Sequence, residues 1–373
     1  MPPRLISIAR SLLLDEPVHD QVDPQLFVLA NKAGMGALMA HRILTTSESR
    51  ISDSARPLFQ GTLEMMKLVT RDITEFSCEL IGALERKAVP VTLLKGISVS
   101  DQYYPHTFWR PMRDIDLLVA PAKLAEAETA LMNLGYVPSS DYPAKFYETH
   151  HHSMPLHHPE KNIWVELHTE LFSPPFLLKY GEVFSTTRIQ QESLPSTFCG
   201  RRVTRLSPEL QLVYICSHWA EEIKYDGGMV AMLDIFLLLR KETRLDWEKI
   251  IKWLHNTYPA SYVYLLLSYL ERYNFIQLPD GIMDKLAKCQ KNLNRFSLRF
   301  LHRIIDDHIA NDMPFGRVLT QHNLATLWQT LLGASSPITA ILSCPLHLLF
   351  PPHSQNRFQL RHQLKRLKSA ISG

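Results

Sequence analysis

Asp114 and Asp116, in R-P-M-R-D-I-D-L-L-V at 110–119, are the residues of this chain whose types and spacing most directly offer chemistry. In a β-strand alternate side chains share a face, so the two carboxylates project together while Ile115 and Leu117 face the other way. Two carboxylates that close repel each other unless a proton or a cation intervenes. Hard divalent cations, Mg²⁺ above all, prefer oxygen ligands and share them with phosphate. In I-W-V-E-L-H at 163–168, Glu166 and His168 share one face, and Val165 and Leu167 take the other. A third carboxylate from a neighbouring strand is what a two-metal phosphoryl-transfer site requires. Lys95 and Gly96 follow another short apolar run; the lysine suits either a phosphate or a salt bridge to Asp114 or Asp116, and the glycine a turn or a close approach of backbone to ligand. Arg110 and Arg113 flank the aspartates. One guanidinium suffices to offset phosphate charge, and the other is free to pair with an acidic neighbour.

Six histidines crowd into 150–168, H-H-H-S-M-P-L-H-H-P-E-K-N-I-W-V-E-L-H. They lack a zinc-enzyme spacing such as H-E-x-x-H, so the stretch is not read as a catalytic zinc centre; His151 or His168 is placed to touch substrate beside Glu166. His218 interrupts the apolar run L-V-Y-I-C-S-H-W, and Asp234 does the same in M-V-A-M-L-D-I-F-L-L-L. A charge there needs a partner or a wet cleft, so the two either line a cleft or pair with each other between helices.

Short strands at 89–94, 114–119 and 163–168 would position these groups. Between them, K-G-I-S-V-S-D-Q-Y-Y-P reads as a turn and short helix stopped by Pro105, and Pro121 opens a helix closed at Gly135. Before them, Leu63, Met66, Val69, Ile73, Phe76, Leu80 and Leu84 recur at spacings of three and four, an amphipathic helix ending near Lys87. F-V-L-A-N-K-A-G-M-G-A-L-M-A-H-R-I-L at 27–44 reads as one further helix. From about 205 the periodicity is helical throughout, beginning with Ser207 as N-cap and Pro208 in the first turn. The fold class expected is α+β: a helical region over 1–60, a small mixed-sheet core over 61–204, and a helical domain over 205–373 with no substantial sheet, the cleft lying between core and helical domain.

At 373 residues, 46% hydrophobic and 21% charged, the chain has room for two or three ordinary cores and is not a disordered protein. Forty basic against 37 acidic side chains is near balance, which gives no indication of a nucleic-acid partner. Five scattered cysteines without a C-x-x-C pair do not suggest a disulfide scaffold or thiolate zinc. The start carries no leader pattern, and the most apolar run, 337–350, is too short to span a membrane, so a cytoplasmic location is expected. Basic and apolar residues alternate over 356–371, a terminal helix docked on its own domain or one touching RNA or a membrane surface.

K-G followed by R-x-x-R-D-I-D-L-L-V, an amphipathic helix ending in L-G-Y, and then V-E-L-H resembles a poorly characterised bacterial nucleotidyltransferase-like family, related to DNA polymerase β and the aminoglycoside nucleotidyltransferases. The resemblance runs over roughly 60–240. It implies Asp114, Asp116 and Glu166 as metal-binding catalytic carboxylates, Mg²⁺ or Mn²⁺ as cofactor, and a nucleoside triphosphate as substrate. Transfer of a nucleoside monophosphate to a hydroxyl of a small molecule, protein or RNA, with release of pyrophosphate, would follow. Lys95 and Gly96 stand where the wider superfamily has a Gly-Ser pair near the phosphates, and a lysine does not reproduce a serine hydroxyl. A non-catalytic nucleotide sensor or protein-interaction module is the alternative that this departure supports.

Overall fold

The computed structural model describes residues 3–46, 51–140, 142–148, 150–172, 180–221, 228–290 and 293–310. The basic segment over 356–371 and the apolar run at 337–350 lie outside these residues.

Helices α1 (Arg4–Leu13), α2 (Pro24–Lys32) and α3 (Gly36–Thr45) precede the 31-residue α4 (Arg56–Arg86). The single helix expected over 27–44 is therefore two. Gly34 takes φ of 81°, and the Met35 amide donates back to the Ala30 carbonyl, so α2 closes in a left-handed turn that a residue with a Cβ resists. Helix α4 buries the expected stripe: Leu63, Ile73, Leu80 and Leu84 are buried, and Met66, Val69 and Phe76 are half-buried. Its first turns pack with the N-terminal helices, and its second half covers the sheet.

The sheet has seven strands, β1 (Thr92–Leu93), β2 (Asp114–Leu118), β3 (Val137–Pro138), β4 (Leu156–His158), β5 (Ile163–His168), β6 (Ser193–Phe198) and β7 (Arg201–Leu206), in the spatial order β3-β4-β5-β2-β1-β7-β6. It is mixed, with β2 parallel to β5, β1 parallel to β7, and the remaining neighbours antiparallel. Helix α5 (Lys95–Tyr103) follows β1, and α6 (Leu124–Met132) follows β2 and ends before Gly135, whose φ is 95°. Ile115 and Leu117 of β2, and Val165 and Leu167 of β5, point into the core beneath α4 and α6. Each is fully buried, worth roughly 1.5–3 kcal/mol. That burial fixes the register, because a slip of one residue would put two aspartates in the core.

Three departures from the sequence reading stand out. The strand expected over 89–94 shortens to two residues, and the hairpin β6–β7 on one edge with β3 and β4 on the other extends the sheet beyond the three strands expected. Cys78 of α4 and Cys199 in the hairpin turn form a disulfide, with Cα atoms 5.8 Å apart, a single bond where the scattered cysteines suggested no disulfide scaffold.

After β7 the described residues contain helices only: α7 (Pro208–Glu221), α8 (Val230–Lys241), α9 (Trp247–Leu254), α10 (Tyr258–Arg272), α11 (Ile282–Cys289) and α12 (Arg295–Ile304). Ser207 caps α7, its Oγ accepting from the Leu210 amide at 3.3 Å. Residues of α1 to α3, the start of α4, and α7 to α12 share one apolar core. No helix among the described residues is long and apolar enough to cross a membrane.

Candidate active site

β2 and β5 run parallel with Asp116 opposite Glu166, Leu118 opposite His168 and Asp114 opposite Trp164. The face turned away from the sheet's core thus carries Asp114, Asp116, Glu166 and His168 together. Asp116 is the centre of this group and is only 2% exposed. Its Oδ1 accepts from Lys95 Nζ at 3.1 Å and from His168 Nε2 at 2.8 Å; Oδ2 takes neither bond. Burial by itself would raise the Asp116 carboxyl, but the Lys95 ammonium and the His168 hydrogen bond outweigh it and hold the group well below the usual carboxylate range.

Backbone geometry places the lysine. The Leu94 amide donates to the Asp116 carbonyl at 3.1 Å, which fixes the turn from β1 into α5 directly over β2. Lys95 itself sits at φ of 39°, a left-handed conformation that costs a side-chain-bearing residue on the order of 1–3 kcal/mol. A glycine there would be unstrained, so the strain is compensated by what the ammonium does at Asp116. Gly96 sits in close quarters: a Cβ on it would stand 3.2 Å from Arg110 Nη1 and 3.2 Å from Met112 Cγ, so those side chains would have to give way by a few tenths of an ångström.

Glu166 Oε2 lies 3.4 Å from His168 Nε2. Desolvation raises its pKa, but His168 and Lys95 prevail over burial and the nearby Asp116, and the carboxyl is lowered. Desolvation likewise opposes a charged His168, yet its contacts with Asp116 and Glu166 raise its pKa above the ordinary value. Its Nδ1 is buried without a hydrogen-bond partner. Asp116, Glu166 and His168 bring one ligand atom each within 4.8 Å of one another, a set able to hold a metal ion. Asp114 is not of that set; it is half-buried at the adjoining cavity.

That cavity, of about 340 Å³, opens where the sheet meets the helices. Lys95, Gly96, Asp114 and Asp116 form one wall, and His218, Trp219 and Asp234 from α7 and α8 form the facing one, with Asn31 and Lys32 of α2 at the side. Asp234 does not pair with His218. It receives Arg110 through Nε at 2.8 Å and Nη2 at 2.9 Å, and Tyr104 Oη at 2.5 Å, with Arg110 and Asp234 only 12% and 3% exposed. Arg113, by contrast, is exposed at the cavity and has no ion-pair partner among the described residues. His151 lies beside His168 of β5, ring centroids 5.2 Å apart and the rings tilted by 40°. Burial first, then the neighbouring histidines and Lys95, push its pKa far down.

Sequence reasoning missed Tyr104, Asn31 and Lys32. Tyr104 stands in D-Q-Y-Y-P with no local sign that it meets a carboxylate 130 residues away, and the two α2 residues enter the cavity through helix packing alone.

A family of sequences described as "uncharacterised nucleotidyltransferase" matches residues 20–273. The chain belongs to this nucleotidyltransferase family. Its matched span contains every strand and the whole cavity wall described above. Among solved structures, that of the antibiotic-resistance factor ANT(2'')-Ia is similar over 55% of this chain and 95% of its own, at 14% identity and a TM-score of 0.36. No curated protein matches.

Proposed function

We propose that this protein transfers a nucleoside monophosphate from a nucleoside triphosphate to a hydroxyl acceptor, releasing pyrophosphate, with Mg²⁺ or Mn²⁺ held by Asp114, Asp116 and Glu166. The observation that supports this reading is the in-register placement of Asp116 and Glu166 on adjacent parallel strands, with Asp114 two residues along the same face, beside a cavity of ligand size. The donor set fits a hard divalent ion: it is carboxylate oxygen, and Lys95 and His168 both bind Oδ1 of Asp116 and leave Oδ2 to an ion. Bound there, the ion supplies Lewis-acid stabilisation of charge on the triphosphate.

The residues of the chain do the rest. Lys95 and Arg113 place positive charge at the phosphates, Lys95 as a point charge and Arg113 as a paired donor. Arg110, spent on Asp234, instead fixes the segment that carries Arg113 and Asp114. Glu166, kept ionised by its surroundings, accepts the proton of the acceptor hydroxyl as its oxygen bonds to the α-phosphorus. The bond from that phosphorus to the bridging oxygen breaks, and pyrophosphate leaves with its charge offset by Lys95 and Arg113. Trp219 offers a ring against which a base can lie.

One observation favours the non-catalytic nucleotide-binding alternative: the Lys95–Asp116 ion pair already neutralises Asp116 without an ion. Binding of nucleoside triphosphates, measured calorimetrically with Mg²⁺ and with a chelator, separates the two. The proposal expects binding at least about tenfold tighter with Mg²⁺, because unneutralised carboxylates repel a triphosphate, and loss of that difference in Asp114→Asn. Binding indifferent to the chelator in the wild type would select the sensor.

A further inference from the structure

A second group of metal-capable side chains stands beside the first and is used by none of the chemistry above. His150, His151 and His152 lie in the segment that folds back along β5. The Thr169 and Glu170 amides donate to the His151 carbonyl at 2.9 and 3.2 Å, the Ser153 amide donates to the Leu167 carbonyl at 2.9 Å, and His152 bridges to His168 in antiparallel fashion. Consecutive residues of a regular strand point to opposite faces. Here the chain gathers the three rings instead: their centroids are 4.2 to 4.8 Å apart, and one ring nitrogen from each lies within 4.8 Å of the others.

His152 sets the chemistry. Its Nδ1 is 2.7 Å from the Ser153 carbonyl oxygen, and since a carbonyl only accepts, Nδ1 carries the hydrogen. Nε2 is then the nitrogen turned toward Glu166, whose Oε2 is 4.0 Å away. That separation is too long for a hydrogen bond. It is within about 0.6 Å of the roughly 3.4 Å edge of a tetrahedron whose bonds are about 2.0–2.1 Å long. A ring nitrogen held by a backbone carbonyl, with its partner nitrogen facing outward, is also how metal-ligating histidines are oriented. Beside the cluster the buried His168 Nδ1 has no partner, a further polar atom unsatisfied in the ion-free arrangement.

We propose that His150, His151 and His152, with Glu166 Oε2 as the fourth ligand, form a site for a divalent ion of the Zn²⁺ class. Three imidazoles and one carboxylate suit a borderline ion and not the hard, octahedral Mg²⁺. Such an ion fastens the 150–153 segment to β5 through the Glu166 carboxylate. The site stands whether or not the protein transfers nucleotides, and its test uses no nucleotide.

Tag-free, full-length protein is stripped with chelator and titrated with Co²⁺, whose visible bands report a tetrahedral nitrogen and oxygen shell, and X-ray absorption of the Zn²⁺-loaded wild type counts the imidazoles directly. The expected result, with the carboxylate site kept filled by excess Mg²⁺, is one ion per chain with three imidazole ligands. Affinity falls by about 100-fold or more in His150→Ala/His151→Ala and is unchanged in the exposed-histidine control His19→Ala/His255→Ala. Absence of stoichiometric binding, a shell with fewer than two imidazoles, or tight binding retained by a folded double-histidine variant would overturn the proposal. The absorption measurement needs no variant, so a failure of the double substitution to fold does not affect it.

Discussion

Asp234→Ala is expected to be one of the most destabilising single substitutions in the molecule, because it strands a buried guanidinium. Arg110 makes two parallel bonds to Asp234, Tyr104 adds a third, and the pair is only 12% and 3% exposed. Desolvation alone would lower the Arg110 pKa, and the Asp234 carboxylate raises it above its ordinary value. A guanidinium is so basic that the charge remains even when the carboxylate is removed. Breaking one side of such a pair costs about 3–5 kcal/mol, and the loss of the tyrosine's acceptor puts the figure at the upper end. With an unfolding entropy of about 2.1 cal/mol/K per residue over 373 residues, about 4.5 kcal/mol lowers the melting temperature by about 6 °C. Circular dichroism melts of Asp234→Ala, Arg110→Met and Arg110→Met/Asp234→Leu form the test. The double variant should lose about 2 kcal/mol or less, since it removes both charges and keeps the volume. A single variant costing under about 1 kcal/mol, or a double variant costing the sum of the singles, would refute the reasoning.

Two further outcomes follow from features away from the cavity. Cys199→Ser opens a disulfide that spans 121 residues, for which the chain-entropy ceiling is about 5 kcal/mol; a urea midpoint that falls in Cys199→Ser, and falls equally when the wild type is reduced, is expected, and an unchanged midpoint would count against a formed bond. His302 is buried, and that burial with Arg272 nearby lowers its pKa to about 4 from 6.5. The folded state therefore binds its proton less readily than the unfolded chain, so its contribution is whole above pH 6.5 and is lost as the pH falls from there toward 4. The loss, roughly 3 kcal/mol at most, should be smaller in His302→Gln in acid denaturation curves, and identical curves would dismiss it.

The parts of the site legible in the sequence were those set by the two-residue period of a strand. D-I-D-L-L and I-W-V-E-L-H place the carboxylates and His168 on one face and branched aliphatics on the other, and the observed strands follow those bounds closely. Helix α4 was legible for the same kind of reason, a stripe repeated over seven positions. The hairpin β6–β7 was hidden because Pro195 and three arginines break the apolar alternation, although Cys199-Gly200 between two six-residue runs was a turn signal. Arg205, only 2% exposed in β7, is tolerated because it donates to the Ser98 carbonyl at 2.9 Å and pairs with Asp101, contacts that no pattern along the chain displays. The pairing of Arg110 with Asp234 and of Cys78 with Cys199 is set by how the layers pack. Sequence spacing supplied the residues and left the partners undetermined.

The central claim is that Asp116 serves nucleotide transfer, and the direct measurement is movement of label. Wild type and Asp116→Asn are incubated with each α-labelled nucleoside triphosphate, Mg²⁺ or Mn²⁺, and small-molecule, protein and tRNA fractions, and transferred label and pyrophosphate are both followed. The expected result is label on one acceptor fraction with matching pyrophosphate from the wild type, and a loss of at least about 100-fold in Asp116→Asn. Label transferred equally by folded Asp116→Asn, or a folded wild type that neither transfers label nor binds any triphosphate with either metal, would contradict it.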